Sequence, residues 1–170
     1  MLNDKELYLR AVEIEDVDKL YLWENDTEQW SVGLSERFVS RYALENYVLT
    51  SQNEDIFSSC QMRNILVHKG EAVGCVDLFD IDFKNSRSAI GLYIDKEHRN
   101  KGYSQSALKL LEEYASQHLL LHQIYALIGE KNMACRRLFE KSSYTHTATL
   151  PEWIKRKDCF EDVLIFSKTL

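Results

Sequence analysis

The residues best suited to chemistry lie near the middle of the chain. An apolar stretch, Ile90-Gly91-Leu92-Tyr93-Ile94, runs through Asp95-Lys96-Glu97-His98 into Arg99-Asn100-Lys101-Gly102-Tyr103-Ser104, and an amphipathic segment follows. A helix that starts after such a loop presents unpaired N–H groups and a partial positive charge, so phosphate oxygens can take the place of the missing partners. Gly102 lets the backbone come close to a ligand, the small Ser104 keeps the helix start open, and Arg99 and Lys101 add positive charge. One glycine falls short of the dinucleotide fingerprint G-x-G-x-x-G, and the G-K-[ST] of a Walker loop is absent. By itself the segment reads equally well as a tight turn into a helix.

Other reactive residue types point elsewhere. His118 and His122 have i, i+4 spacing but lack the glutamate of H-E-x-x-H, so they read as the end of a helix and no metal site is expected. The four cysteines (Cys60, Cys75, Cys135, Cys159) are scattered without a C-x-x-C pair. They read as reduced thiols of a cytoplasmic protein and not as a disulfide frame. Cys135 has no His/Asn arrangement that would make it a nucleophile.

The chain has 170 residues, one proline and a net charge of −6. That length suits one domain, 1–170, and the acidic balance argues against general nucleic-acid binding. No secretory leader and no apolar run of membrane-spanning length is read in it, so no membrane association is expected. The charge is uneven. Residues 1–60 hold 13 acidic against 5 basic side chains, and residues 61–170 hold 14 against 16. An anionic cofactor would prefer the later part and a cationic second substrate the earlier.

These residues need elements to position them. Alternation predicts a first strand over 7–12. Apolar residues at Val17, Leu20, Tyr21 and near Trp23 then predict a helix with acidic residues in its first turn. A second helix is predicted over 35–51, with Phe38, Tyr42, Leu44, Tyr47 and Val48 inward. Strands follow at 64–68, 72–79 and 88–94, with a hairpin turn at Lys69-Gly70-Glu71. A helix is predicted over 106–118, a strand over 123–128, and a short helix over 133–141 that Asn132 can cap. Strands at 145–150 and 159–167 complete a βααβββαβαββ order. That order implies an α/β layered fold with helices on both faces of a sheet.

The strand, the Arg99-x-x-Gly102-x-Ser104 loop and the helix together resemble motif A of the GNAT superfamily of N-acetyltransferases. The later stretch 125–144, with Asn132-Met133-Ala134 and Phe139-Glu140-Lys141 leading to Tyr144, is similar to the family's motif B. Leu9-Arg10-Ala11 with Glu15-Asp16, and Trp153-Ile154 with 159–163, resemble the branch that holds spermidine and ribosomal-protein N-terminal acetyltransferases. The resemblance spans nearly the whole chain. It implies a GNAT-like three-layer α/β fold with a mixed, mostly antiparallel central sheet and acetyl-CoA as co-substrate. Backbone groups of Leu92, Tyr93 and Ile94 would receive the pantetheine arm, and Arg99, Asn100, Lys101, Gly102, Tyr103, Ser104 and Gln105 would surround the pyrophosphate. Asn132 would touch the arm near the sulfur, with Arg136 on the phosphate or adenine side.

The implied reaction is direct attack of an acceptor amine on the thioester carbonyl. It needs a base, an N–H donor near Leu92 or Tyr93 for the developing oxyanion, and an acid for the leaving thiolate. Asp77 is the first candidate for the base and Glu24 the second. Many relatives supply the acid from a motif B tyrosine, but here that position is Phe139. Cys135, Tyr144, Tyr103 or water would then supply the proton. Ser143 replaces the family's usual glycine before the final aromatic. Trp23, Trp30 and Trp153 read as core or rim packing that could also wall an acceptor pocket. The acceptor expected is a small-molecule or peptide amine, with a polyamine or other cationic small molecule favoured. Protein N-terminal acetylation and a non-catalytic acyl-CoA-binding module are the alternatives, and a homodimer is compatible with the family.

Overall fold

The computed structural model describes residues 2–4, 6–30, 33 and 37–170. Its strands are β1 (Leu2–Asp4), β2 (Leu7–Ala11), β3 (Met62–His68), β4 (Glu71–Asp82), β5 (Arg87–Ile94), β6 (Gln123–Gly129), β7 (Thr145–Lys155) and β8 (Phe160–Thr169). They form a single sheet in the order β1-β2-β3-β4-β5-β6-β8-β7. Every pairing is antiparallel except β5 with β6. The helices are α1 (Val17–Glu24), α2 (Thr27–Trp30), α3 (Arg41–Ser51), α4 (Ile56–Ser59), α5 (Tyr103–Gln117) and α6 (Met133–Lys141). This is the mixed, mostly antiparallel three-layer arrangement that the motif resemblance implies.

Period-two alternation along the strands assigns the two faces. Leu66 and Val76 belong to one core with α5 and α6, where Leu108, Leu111 and Phe139 are buried. Ile65, Val67 and Cys75 face the other core, made with Val17, Leu20 and Trp23 of α1 and Leu44 and Val48 of α3. Each fully buried leucine contributes about 1.5–3 kcal/mol. Packing of this kind outweighs local propensity and fixes α5 on the sheet.

The structure departs from the sequence expectations in several places. The second helix spans Arg41–Ser51, capped by the Ser40 hydroxyl, which accepts from the Ala43 N–H at 3.1 Å. Its expected start at Ser35 lies outside the described residues. Leu44 and Val48 are buried, but Phe38 and Tyr42 are exposed, because the stripe that meets the sheet is only two residues wide. Strands β4, β7 and β8 run longer than expected, and α5 begins three residues earlier, directly after Gly102. β1 and the short helices α2 and α4 were not anticipated, since none is long enough to show a period.

Gly74 of β4 faces Ile94 of β5, and a Cβ there would lie 2.2 Å from the Tyr93 carbonyl oxygen. Backbone cannot give way as a flexible side-chain end can. Gly74→Ala is expected to cost about 1–3 kcal/mol in denaturant unfolding, whereas Ser59→Ala, on the short α4, should stay within about 0.5 kcal/mol.

Candidate functional site

The β5–β6 ladder joins Arg87–Ala89 to Gln123–Tyr125 and goes no further. Beyond Ala89 the two strands part, and the rest of β5 is paired on its β4 side alone. The Asp95 N–H donates to the Val73 carbonyl at 2.9 Å, which sets the phase of the antiparallel ladder. Pairs alternate in such a ladder, so Tyr93 exchanges bonds with Cys75 while Leu92 and Ile94 turn their N–H and C=O toward the gap. The Ile94 carbonyl accepts from Arg99 Nε at 3.0 Å. Leu92 is therefore the residue whose backbone is left open to an extended ligand. The expectation that Tyr93 shares this role is corrected: its backbone faces β4, and its ring lies between Trp23 (5.5 Å) and the Arg99 guanidinium (5.7 Å).

The chain leaves β5 through a 3-10 turn, Lys96–His98, and enters α5 at Gly102. Gly102 has φ +82 and open space where a Cβ would be, so glycine is required for its conformation and not for room. Asn100, at φ 61, is the other left-handed residue of the turn. Among the described residues, no protein acceptor meets the N–H groups of residues 100–104. The Gln105 and Ser106 amides bond back to the Gly102 carbonyl. The row of open amides lies at the positive end of a 15-residue helix, with Arg99 and Lys101 beside it. The Tyr103 side chain turns to His68, its hydroxyl 3.0 Å from Nδ1.

Across the parting strands lies α6. Asn132 caps it, its side-chain oxygen accepting from the Cys135 N–H at 3.1 Å. Arg136 is anchored to the Glu130 carbonyl at 3.3 Å. Burial pushes the Cys135 thiol up to about 12, so it stays protonated near neutrality.

On the face of α1 and α3, two adjoining cavities of about 760 and 430 Å³ share Glu24, Arg37, Val39, Arg63 and Asp77. The smaller one also reaches Leu92, Tyr93, Trp23 and Trp30. Its centre is Arg63, which sequence reasoning passed over. Arg63 Nε and Nη2 donate to the two oxygens of Asp77 at 2.8 and 2.7 Å, and Nη1 donates to Glu24 Oε1 at 2.5 Å. Burial alone would depress the guanidinium pKa, but Asp77, with Glu24 behind it, holds it well above the usual value. The only cue in the sequence is that Arg63 and Asp77 become cross-strand partners once β3 and β4 are in register.

Glu24 and Asp77, both expected as bases, thus meet at one point. Asp77 has both oxygens engaged, whereas Glu24 keeps Oε2 unclaimed among the described residues. Tyr144 is corrected as an acid. It is 4% exposed, packs edge-on against Phe139 at 4.7 Å and lines neither cavity. Burial, and then the adjacent Glu112 carboxylate, push its pKa far up. Trp23 and Trp30 do wall the smaller cavity, while Trp153 is exposed on β7. Among the described residues no cluster of three or more His, Cys, Asp or Glu could hold a metal ion, and no helix is long and apolar enough to cross a membrane.

Comparison with known proteins fits this geometry. The acetyltransferase (GNAT) domain model matches residues 6–145. A probable N-acetyltransferase, YjcK, of Bacillus subtilis is 26% identical over 95% of this chain and 93% of its own length. The spermidine N(1)-acetyltransferase of Vibrio cholerae is 23% identical over 94% and 91%. A crystal structure of the V. cholerae spermidine N-acetyltransferase with CoA and spermine superposes with a TM-score of 0.89, at 22% identity and 98% and 96% coverage. The RimL ribosomal L7/L12 alpha-N-protein acetyltransferase superposes at 0.84, with 14% identity and 98% and 92% coverage.

The open amides of residues 100–104 set an expectation for anion binding. Coenzyme A at a hundred times its Kd should stabilise the protein by about 2.7 kcal/mol, read as a rise in Tm. Gly102→Val, which forces a β-branched residue to positive φ, should abolish most of that rise.

Proposed function

Since the chain belongs to the acetyltransferase (GNAT) domain family, we propose that it transfers an acetyl group from acetyl-CoA to the primary amine of a small cationic acceptor. One observation carries this reading: a single strand, β5, leads into the open amides of residues 100–104 and also lends Leu92 to the cavity that holds Glu24 and Asp77. The turn and a cleft with two carboxylates are thus joined by one strand. The fit of coenzyme A rests on those unpartnered amides and on the open edge of β5 at Leu92. The amides of residues 100–104, with Arg99 and Lys101, hold its diphosphate. The backbone of Leu92 takes the pantetheine arm, and Asn132 and Arg136 flank the arm from α6. When bound, the coenzyme supplies an acetyl group activated as a thioester.

The residues of the chain do the rest. The Leu92 N–H, turned toward the gap, stabilises negative charge on the acetyl oxygen. Glu24, held through one oxygen by Arg63, uses the other to accept the proton of the incoming ammonium. Asp77, saturated by Arg63, fixes the guanidinium and through it the position of Glu24. Water protonates the leaving thiolate: Phe139 carries no proton, Tyr144 is buried, burial holds the proton on Cys135, and the Tyr103 hydroxyl is engaged with His68. A polyamine is the favoured acceptor: V. cholerae and Escherichia coli relatives are named spermidine acetyltransferases, and the acidic surplus lies in the first 60 residues.

Release of free thiol from acetyl-CoA, measured against polyamines, peptides and aminoglycosides, tests the reading, and spermidine should be the best of the panel. Glu24→Gln should lower kcat about a hundredfold or more, and Asp77→Asn, which loosens the guanidinium that positions Glu24, should lower kcat by a smaller factor. A larger kcat loss in Asp77→Asn would reverse the two roles. No thiol release with any amine would sink the acceptor assignment. Because burial keeps Cys135 protonated, Cys135→Ala should leave kcat within about twofold; a complete loss would point to a covalent intermediate.

A further inference from the structure

One buried carboxylate outside the cleft is joined to one of its walls through a single arginine. Glu161, on β8, is 4% exposed. Its Oε1 accepts from the Lys131 N–H at 3.0 Å, one residue before the Asn132 cap of α6. Its Oε2 accepts from Arg156 Nε at 2.9 Å. From there Arg156, in the turn between β7 and β8, reaches across the protein. Nη1 donates to the Trp30 carbonyl at 3.0 Å, and Nη2 donates to the Gly33 carbonyl at 3.2 Å. Trp30 and Gly33 are walls of the smaller cavity. The sequence separation is 126 residues from Trp30 to Arg156 and only 5 from Arg156 to Glu161.

The arrangement is built for this carboxylate. A Cβ on Gly129 would stand 2.8 Å from Glu161 Oε1, so β6 keeps a glycine where the carboxylate needs room. Burial would raise the Glu161 pKa, yet the Lys131 N–H and the Arg156 guanidinium together hold it below the usual carboxylate value. The guanidinium is planar, so binding Glu161 through Nε fixes the directions in which its two terminal nitrogens point. Arg156 cannot turn to another partner without leaving the Trp30 and Gly33 carbonyls unpaired.

We infer that Arg156 and Glu161 are positioning residues that hold Trp30 and Gly33, two walls of the acceptor cleft, at a fixed distance from the entry of α6, and so set acceptor affinity without touching the coenzyme. This rests on the assignment of that cleft to the acceptor. Among the described residues the wall is otherwise held by Trp30 Nε1 donating to the Glu24 carbonyl at 3.4 Å, by the Trp30–Phe38 ring contact and by the Gly33 N–H on the Gln29 carbonyl, and α2 is a single turn with no buried residue. A charged bridge between three segments far apart in sequence makes the cleft depend on the closing hairpin.

Amide hydrogen exchange and steady-state kinetics, on the full chain, separate this role from general stabilisation. Arg156→Met should speed exchange at Gly33, whose N–H bonds to the Gln29 carbonyl, by about tenfold or more, and leave Lys131 unchanged. Glu161→Ala should speed both. In kinetics, Arg156→Met should raise the acceptor KM about tenfold with the acetyl-CoA KM within twofold, and Arg156→Lys should recover part of the loss. Unchanged exchange at Gly33 in Arg156→Met would overturn the inference, as would equal rises in the two KM values. If the exchange pattern appears while the wild-type protein acetylates no amine, the bridge stands and the acceptor assignment is what fails.

Discussion

The parting of β5 from β6 after Ala89 governs most of what this structure does. A strand interior to a sheet normally has partners on both sides, and an unpaired N–H or C=O away from water costs about as much as a lost hydrogen bond. Here the last residues of β5 keep β4 and lose β6. The Ile94 carbonyl is satisfied by Arg99, which draws the turn back onto the strand. Leu92 remains open. Local strand pairing and the path of the turn into α5 are therefore linked.

A second constraint is electrostatic. Two carboxylates on elements 53 residues apart in sequence, Glu24 in α1 and Asp77 in β4, sit against one half-buried guanidinium. Without Arg63 the pair would repel. With it, both are held by one guanidinium, and the unequal sharing, two bonds to Asp77 against one to Glu24, makes them different groups. Removing one partner from a part-buried cluster of this kind costs far more than an exposed ion pair contributes. The cluster is therefore as much a part of the fold of β3 and β4 as of the cleft.

The relatives divide along the same line. One solved neighbour is named for spermidine and another for a ribosomal protein, yet both superpose over nearly the entire chain. What they share with this chain is the fold. On the cleft side of this chain, Arg156 of the closing hairpin joins Glu161 to the Trp30 and Gly33 carbonyls. One fold can carry different sites.

The sequence by itself determined the layered α/β class, the amphipathic α5, the Asn132 cap and the glycine turn at Gly102. Each rests on neighbours within a few residues: periodicity, one side chain reaching the next turn, a glycine before a helix. It also placed Glu24 and Asp77 as carboxylates of interest. Only the tertiary structure decided what those groups can do. Arg63 meets Asp77 through the register of β3 with β4 and meets Glu24 through the packing of α1 on the sheet, and neither is a local property. Tyr144 follows a motif whose spacing suggested a proton donor, but packing against Phe139 buries it. Which of Leu92, Tyr93 and Ile94 is open depended on the phase of hydrogen bonds to β4, and a shift of one residue reverses it. The turn at Arg99 to Ser104 could be read from the chain because its chemistry is that of its own backbone, while the cleft could not, because its chemistry belongs to residues that meet only on folding.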